Sequence, residues 1–268
     1  MGIVVKMLLW AWIVLDPGVC SVSLPEITDG KFIDACVREH NRARSFVHPS
    51  ASDMLYMTWD EGLAITARAW ARHCVFEHNT YLKDVRRVHP TFSSVGENIW
   101  AGYPPSFFDV QGAITSWVNE NQDYNYNSNV CTKVCGHYTQ VVWASTHKVG
   151  CAAQLCPNGV KNTNFASKEG VLFVCNYATA GNVNGRRPYE HQGVSCSGCK
   201  GNCVENLCRS QDRDSQKSYN WTPDWDPALA TRGSNYVTIL IVRPTALIFT
   251  FITAYAVHHF YPNVFCYE

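Results

Sequence analysis

Thirteen cysteines in a chain of 268 residues constrain this protein more than any other feature. A cytosolic chain needs a metal or a redox role to carry so many thiols, whereas a chain folded in an oxidising compartment simply pairs them. The N-terminus chooses between the two. Lys6 precedes an apolar run over 7–15, and small residues follow at Gly18, Cys20 and Ser21. A charged start, a short apolar core and a small-residue zone predict a signal peptide over 1–22, cleaved between Cys20 and Ser23. The apolar run is too short to cross a bilayer. Cys20 then leaves with the leader, or nearly so, and does not count in a disulfide framework.

A second apolar stretch, 236–257, has the length of one membrane crossing. Arg243 and Pro244 interrupt it; Arg243 lies early enough in the span to snorkel toward headgroups. The tail 258–268 contains no Lys or Arg, so charge bias does not orient it. Two alternatives stand beside a type I transmembrane helix. One is a lipid-anchor signal at Gly233, Ser234 and Asn235, which lacks the polar spacer of roughly 8–12 residues such signals carry. The other is a poorly inserted tail on a secreted chain. Basic and acidic residues balance at 22 each, which removes the electrostatic argument for nucleic acid as a partner.

Between these ends, 29–189 reads as one mixed α/β domain. Asp29 can cap a first helix with apolar positions Phe32, Ile33, Cys36, Val37 and Phe46. Thr58 and Glu61 form a capping-box pattern before a second helix, with Leu63, Ala64, Ala67, Trp70, Ala71 and Cys74 on one face. Asp109 opens a third, whose Val110, Ala113, Ile114, Trp117 and Val118 follow helical spacing. Strands are expected over 148–156 and 171–177, rich in β-formers, with a polar loop between.

Past Tyr189 the composition changes. Cys196, Cys199, Cys203 and Cys208 crowd into 190–208 with almost nothing apolar between them, so cross-links must hold that knot. A zinc ribbon is the other reading of four close cysteines, and an oxidising compartment argues against it. Residues 209–235 are polar, contain Pro223 and Pro227, and read as a linker or stalk. Asn220-Trp221-Thr222 is a glycosylation acceptor.

One candidate functional residue follows from helix geometry. Glu120 lies seven residues after Ala113 and three after Trp117, on the apolar side of the third helix. A carboxylate there needs hydrogen bonds or a cation, unless the helix end turns it to solvent. No HExxH zinc-protease helix is present. Ser93 and Ser94 lie near Glu97 without any mark of an activated nucleophile.

The segment Gly136-His137-Tyr138-Thr139-Gln140-Val141-Val142-Trp143, followed by Thr146, resembles the first signature of the CAP superfamily of cysteine-rich secretory proteins, venom antigen 5 and plant pathogenesis-related proteins. Phe173-Val174-Cys175-Asn176-Tyr177, then Gly181-Asn182-Val183, resembles the second. Gly96-Glu97-Asn98-Ile99 and His78-Asn79 match further landmarks. The resemblance covers roughly 29–208 and implies a three-layer α-β-α sandwich, with the four-cysteine knot as the family's hinge.

It also implies a central cleft built from His78, Glu97, Glu120 and His137. In related proteins such histidines hold a divalent metal, usually zinc; here His78 and His137 would be the ligands, and Glu97 and Glu120 would orient them or bind water. Two protein ligands make a weak, exchangeable site. A metal-free polar network is the alternative. The implied disulfides are Cys74–Cys156, Cys131–Cys135, Cys151–Cys175, Cys196–Cys203 and Cys199–Cys208. Cys36 and Cys266 remain over: Cys36 reads as a buried thiol, Cys266 as a reduced, palmitoylated one. The implied function is an extracellular or membrane-tethered binding module for a protein or for a sterol or other lipid. A zinc-dependent hydrolase working through the same cleft is the competing reading. The family's channel-acting cysteine-rich module has no counterpart in this sequence, so channel block is not carried over.

Overall fold

The computed structural model describes residues 23–261 except residue 85, and no side chains over 231–238. The signal-peptide assignment, Cys20 and Cys266 lie outside the described residues. The sheet has four strands in the order β1-β5-β6-β2: β1 (Thr58–Trp59), β2 (Gly96–Gly102), β5 (Lys148–Cys156) and β6 (Gly170–Ala178). β1 runs parallel to β5, and the other pairs are antiparallel; β3 (Tyr124–Asn125) and β4 (Val130–Cys131) form a separate antiparallel pair. Every residue of β6 is buried, so its near-continuous apolar run is that of a strand covered on both faces.

Helix α2 (Glu61–Ala71) covers one face. It approaches so closely that a Cβ on Gly150 would overlap the backbone of Ala64 and Leu63. α1 (Gly30–Ser45), α3 (Val110–Val118) and α4 (Gly136–Val141) cover the other. There Phe173 meets Phe32 of α1 edge-on and lies parallel to Trp117 of α3, with centroids 5.5 Å apart. The result is the three-layer α-β-α sandwich.

The helix starts follow local chemistry. Asp29 caps α1 and Asp109 caps α3, each accepting a backbone N–H of the first turn. α2 differs from expectation: its cap is Asp60, which accepts from Leu63 N at 3.0 Å. Thr58 belongs to β1, where its hydroxyl accepts from Lys148 Nζ. Phe46 follows the last residue of α1 and is 79% exposed, so it contributes nothing to that helix's buried face.

A fully buried cation ties the layers together. Arg44 of α1 donates to the carbonyls of Leu55, Val141, Trp143, Ala144 and Thr146. Val141, Trp143 and Ala144 surround the C-terminal end of α4, where carbonyls lack helical partners and carry the negative end of the dipole.

Among the described residues there are five disulfides. Cys151–Cys175 joins directly opposed residues of β5 and β6, and Cys74–Cys156 ties the chain after α2 to the end of β5. Cys131–Cys135 closes a short loop before α4. Cys196–Cys203 and Cys199–Cys208 staple the hairpin β7 (Asn202–Val204) and β8 (Leu207–Arg209). This hairpin borrows the core it cannot build: Leu207 and Cys208 are buried, and Cys208 exchanges backbone bonds with Met54 and Tyr56 of the body. Cys36 is free and buried in α1, and burial pushes its thiol pKa well up.

Residues 209–235 are not a free stalk throughout. A short helix α5 (Gln211–Asp214) follows the hairpin, Trp225 and Asp226 are buried against the body, and α6 (Pro227–Phe260) begins at Asp226, its cap. Among the residues described with side chains, the apolar span within α6 is Ile239–Phe260, which overlaps the expected 236–257.

Candidate functional site

Four segments from distant parts of the sequence build the site. His78 lies in the long loop after α2, Glu97 on the edge strand β2, Glu120 in the 3-10 turn that continues α3, and His137 in the first turn of α4. They form two pairs. Glu97 Oε1 lies 3.0 Å from His78 Nδ1 and accepts from Asn79 N at 2.9 Å. Its Oε2 accepts from Asn176 Nδ2 at 3.3 Å. Glu120 Oε1 lies 2.6 Å from His137 Nδ1, and Oε2 accepts the backbone N–H groups of His137 and Tyr138. Those N–H groups are the unpaired donors of a helix start, so one carboxylate caps α4 and orients its histidine. Glu120 thus turns inward rather than to solvent.

β2 connects the two pairs. Glu97 serves His78, and the next residue, Asn98, donates from Nδ2 to the His137 carbonyl at 3.1 Å. Trp117 lies parallel to the His137 ring at 6.2 Å. The roles of Asn98 and Asn176 escape sequence reasoning; their only signal is their place inside the GEN and CNY segments.

Exposure is uneven. The Glu97 side chain is fully covered, whereas that of His78 is 62% exposed and that of His137 is 26% exposed. The hydrogen bond to Glu97 holds the His78 pKa above the ordinary value, against the lowering effect of burial. A carboxylate on Nδ1 selects the tautomer with its proton there and leaves Nε2 as the free lone pair. No described residue hydrogen-bonds Nε2 of either histidine. Each free Nε2 is a donor of the type a divalent cation takes. Among the described residues, none of the four belongs to a tight group of three ligand side chains. The one such group, Cys196, Cys199 and Cys208, is tied up in disulfides. The Ser94 hydroxyl accepts from Ala180 N at 3.4 Å.

A disulfide-stapled α-β-α sandwich with paired imidazoles and carboxylates defines a CAP domain. The chain belongs to the cysteine-rich secretory protein family, whose profile matches residues 37–177. It is 47% identical over 205 residues to GLIPR1-like protein 1 of Bos taurus, covering 76% of this chain and 80% of that one. It is 40% identical over 269 residues to glioma pathogenesis-related protein 1 of Mus musculus, covering 98% of both. Among solved structures it is similar to NaASP2 with Zn2+, at 25% identity and a TM-score of 0.51, covering 68% of this chain and 96% of that one.

Proposed function

We propose that this protein is a membrane-tethered binding module: a CAP domain held outside the cell by α6, with a cleft that takes zinc reversibly and a ligand that is a protein or a lipid. One observation carries the reading. Two imidazoles, each fixed through Nδ1 by its own carboxylate, keep Nε2 without a protein partner among the described residues. His78 and His137 would hold the ion, and water would complete the shell. Bound zinc would act as a Lewis acid toward an anionic or carbonyl group of a ligand. Glu97 and Glu120 keep the imidazoles oriented whether or not the ion is present.

The tether rests on the exposed apolar span Ile239–Phe260. Such a chain enters the secretory pathway through its leader, which fits the five disulfides. Asn220 is exposed and open to glycosylation. The similar NaASP2 was crystallised with Zn2+, which supports zinc as the ion.

The test is thermal unfolding with added zinc, reversed by chelator, for wild type and for His78→Ala and His137→Ala. Zinc is expected to raise the midpoint of wild type only. A shift that persists in both variants overturns the metal site. Filter binding with labelled cholesterol and fatty acid, beside a peptide and ester hydrolysis screen, separates lipid binding from turnover.

A further inference from the structure

The loop that carries His78 has little structure of its own. Between α2 and β2 its described residues form no helix and no paired strand, apart from one bridge between Val75 and Lys161. Its far part is instead covered by the segment just before α6. Trp225 is 9% exposed and stacks on Tyr81, with centroids 4.9 Å apart and planes 18° apart. The indole also meets Trp70 edge-on, lies 6.5 Å from the His73 ring and donates from Nε1 to the Arg87 carbonyl at 2.8 Å. Arg72, at the end of α2, grips both oxygens of the buried Asp226, at 2.9 and 2.6 Å. Arg87 lies over the Tyr81 ring and reaches Asp224. Upstream, the Tyr219 hydroxyl donates to Asp60, which also holds His89 of the same loop.

The manner of attachment is distinctive. Among the described residues no backbone-to-backbone hydrogen bond joins 216–226 to the body, and no disulfide does. Every contact it makes with the body runs through a side chain on at least one side: Trp225 in its pocket, Tyr219 and Trp221 against His89, carboxylates on arginines, and the Tyr219 N–H on the Glu61 carboxylate. Peptides dock on proteins in this way.

We propose that Arg72, His73, Tyr81 and Arg87 form a recognition groove for an acidic–aromatic peptide, that Asp224-Trp225-Asp226 is its ligand in cis, and that seating this ligand orders the loop carrying His78. Tyr81 is three residues from His78, so the groove wall and the cleft wall are one piece of chain. The cis ligand is continuous with α6, so whatever pulls on, cuts or competes with the juxtamembrane segment acts on the cleft. None of this requires a metal.

Hydrogen exchange on the full chain tests it. Trp225→Ala and Asp226→Arg should each speed exchange of the amides over 76–92 about ten-fold or more, while 148–156 and 170–178 stay protected. The exchanged pair Arg72→Asp with Asp226→Arg should restore protection. Free peptide with the sequence of 219–227, at about 1 mM to match a short tether's effective concentration, should restore it in Trp225→Ala. Unchanged exchange over 76–92, or an equal rise across the sheet, overturns the proposal. So does a peptide without effect. If Trp225→Ala fails to fold, Asp226→Arg serves as the peptide's acceptor and the exchanged pair as its control.

Discussion

Glu120 holds His137 at two points: Oε1 lies 2.6 Å from Nδ1, and Oε2 accepts the residue's own backbone N–H at 3.0 Å. Ring and main chain are thereby fixed by a single carboxylate. Glu120→Gln keeps the volume but loses the charge that both contacts use. Zinc affinity, measured by calorimetric titration, should fall about 10–100-fold. An unchanged affinity would separate the carboxylate from the metal.

Arg44 is a buried cation whose counter-charges are carbonyl dipoles. Arg44→Met takes a donor from five carbonyls, of which those of Trp143 and Ala144 also accept a backbone N–H, and removes the cap on the end of α4. The expected loss is about 3–5 kcal/mol, read from urea unfolding. A loss under about 1 kcal/mol would mean that water replaces the guanidinium.

His40 gives the fold an acid limit. It is fully buried between the Cys36 carbonyl and the Tyr177 hydroxyl, and burial lowers its pKa from 6.5 to about 4. Below pH 6.5 the unfolded chain takes up a proton that the folded chain refuses. Stability should therefore fall as pH drops from 6.5 toward 4, by about 3 kcal/mol in all. His40→Gln should flatten that slope in denaturant midpoints measured across the range.

The sequence shows some of these relationships and hides others. Asp29 and Asp109 are visible as caps because a cap acts within three residues. β6 is visible because a strand buried on both faces is a continuous apolar run. Glu120 is visible as an anomaly on a helix face, and the family motifs supply its histidine. Asp60 is overlooked as the cap of α2 because Thr58 and Glu61 imitate a capping box whose cap stands two residues too early. Arg44, Trp225 and Asp226 are invisible for another reason. Arg44 meets Val141 and its neighbours about a hundred residues on, and Asp226 meets Arg72 across 154 residues. Local periodicity carries no trace of either pairing.

Gly150 is where α2 and β5 come closest, with its Cβ position occupied by the helix backbone. Gly150→Ala should cost about 3 kcal/mol through forced separation of helix and sheet. A thermal midpoint within a degree of wild type would mean that the layers part freely there.

The start of α6 sets a reach. Its first residue, Pro227, directly follows Asp226, which is packed on the body, and the described apolar span opens at Ile239. The helix between those two residues is about 18 Å long at 1.5 Å per residue. Under the proposed tether, a head on so short a neck would meet molecules lying in or on its own cell's surface.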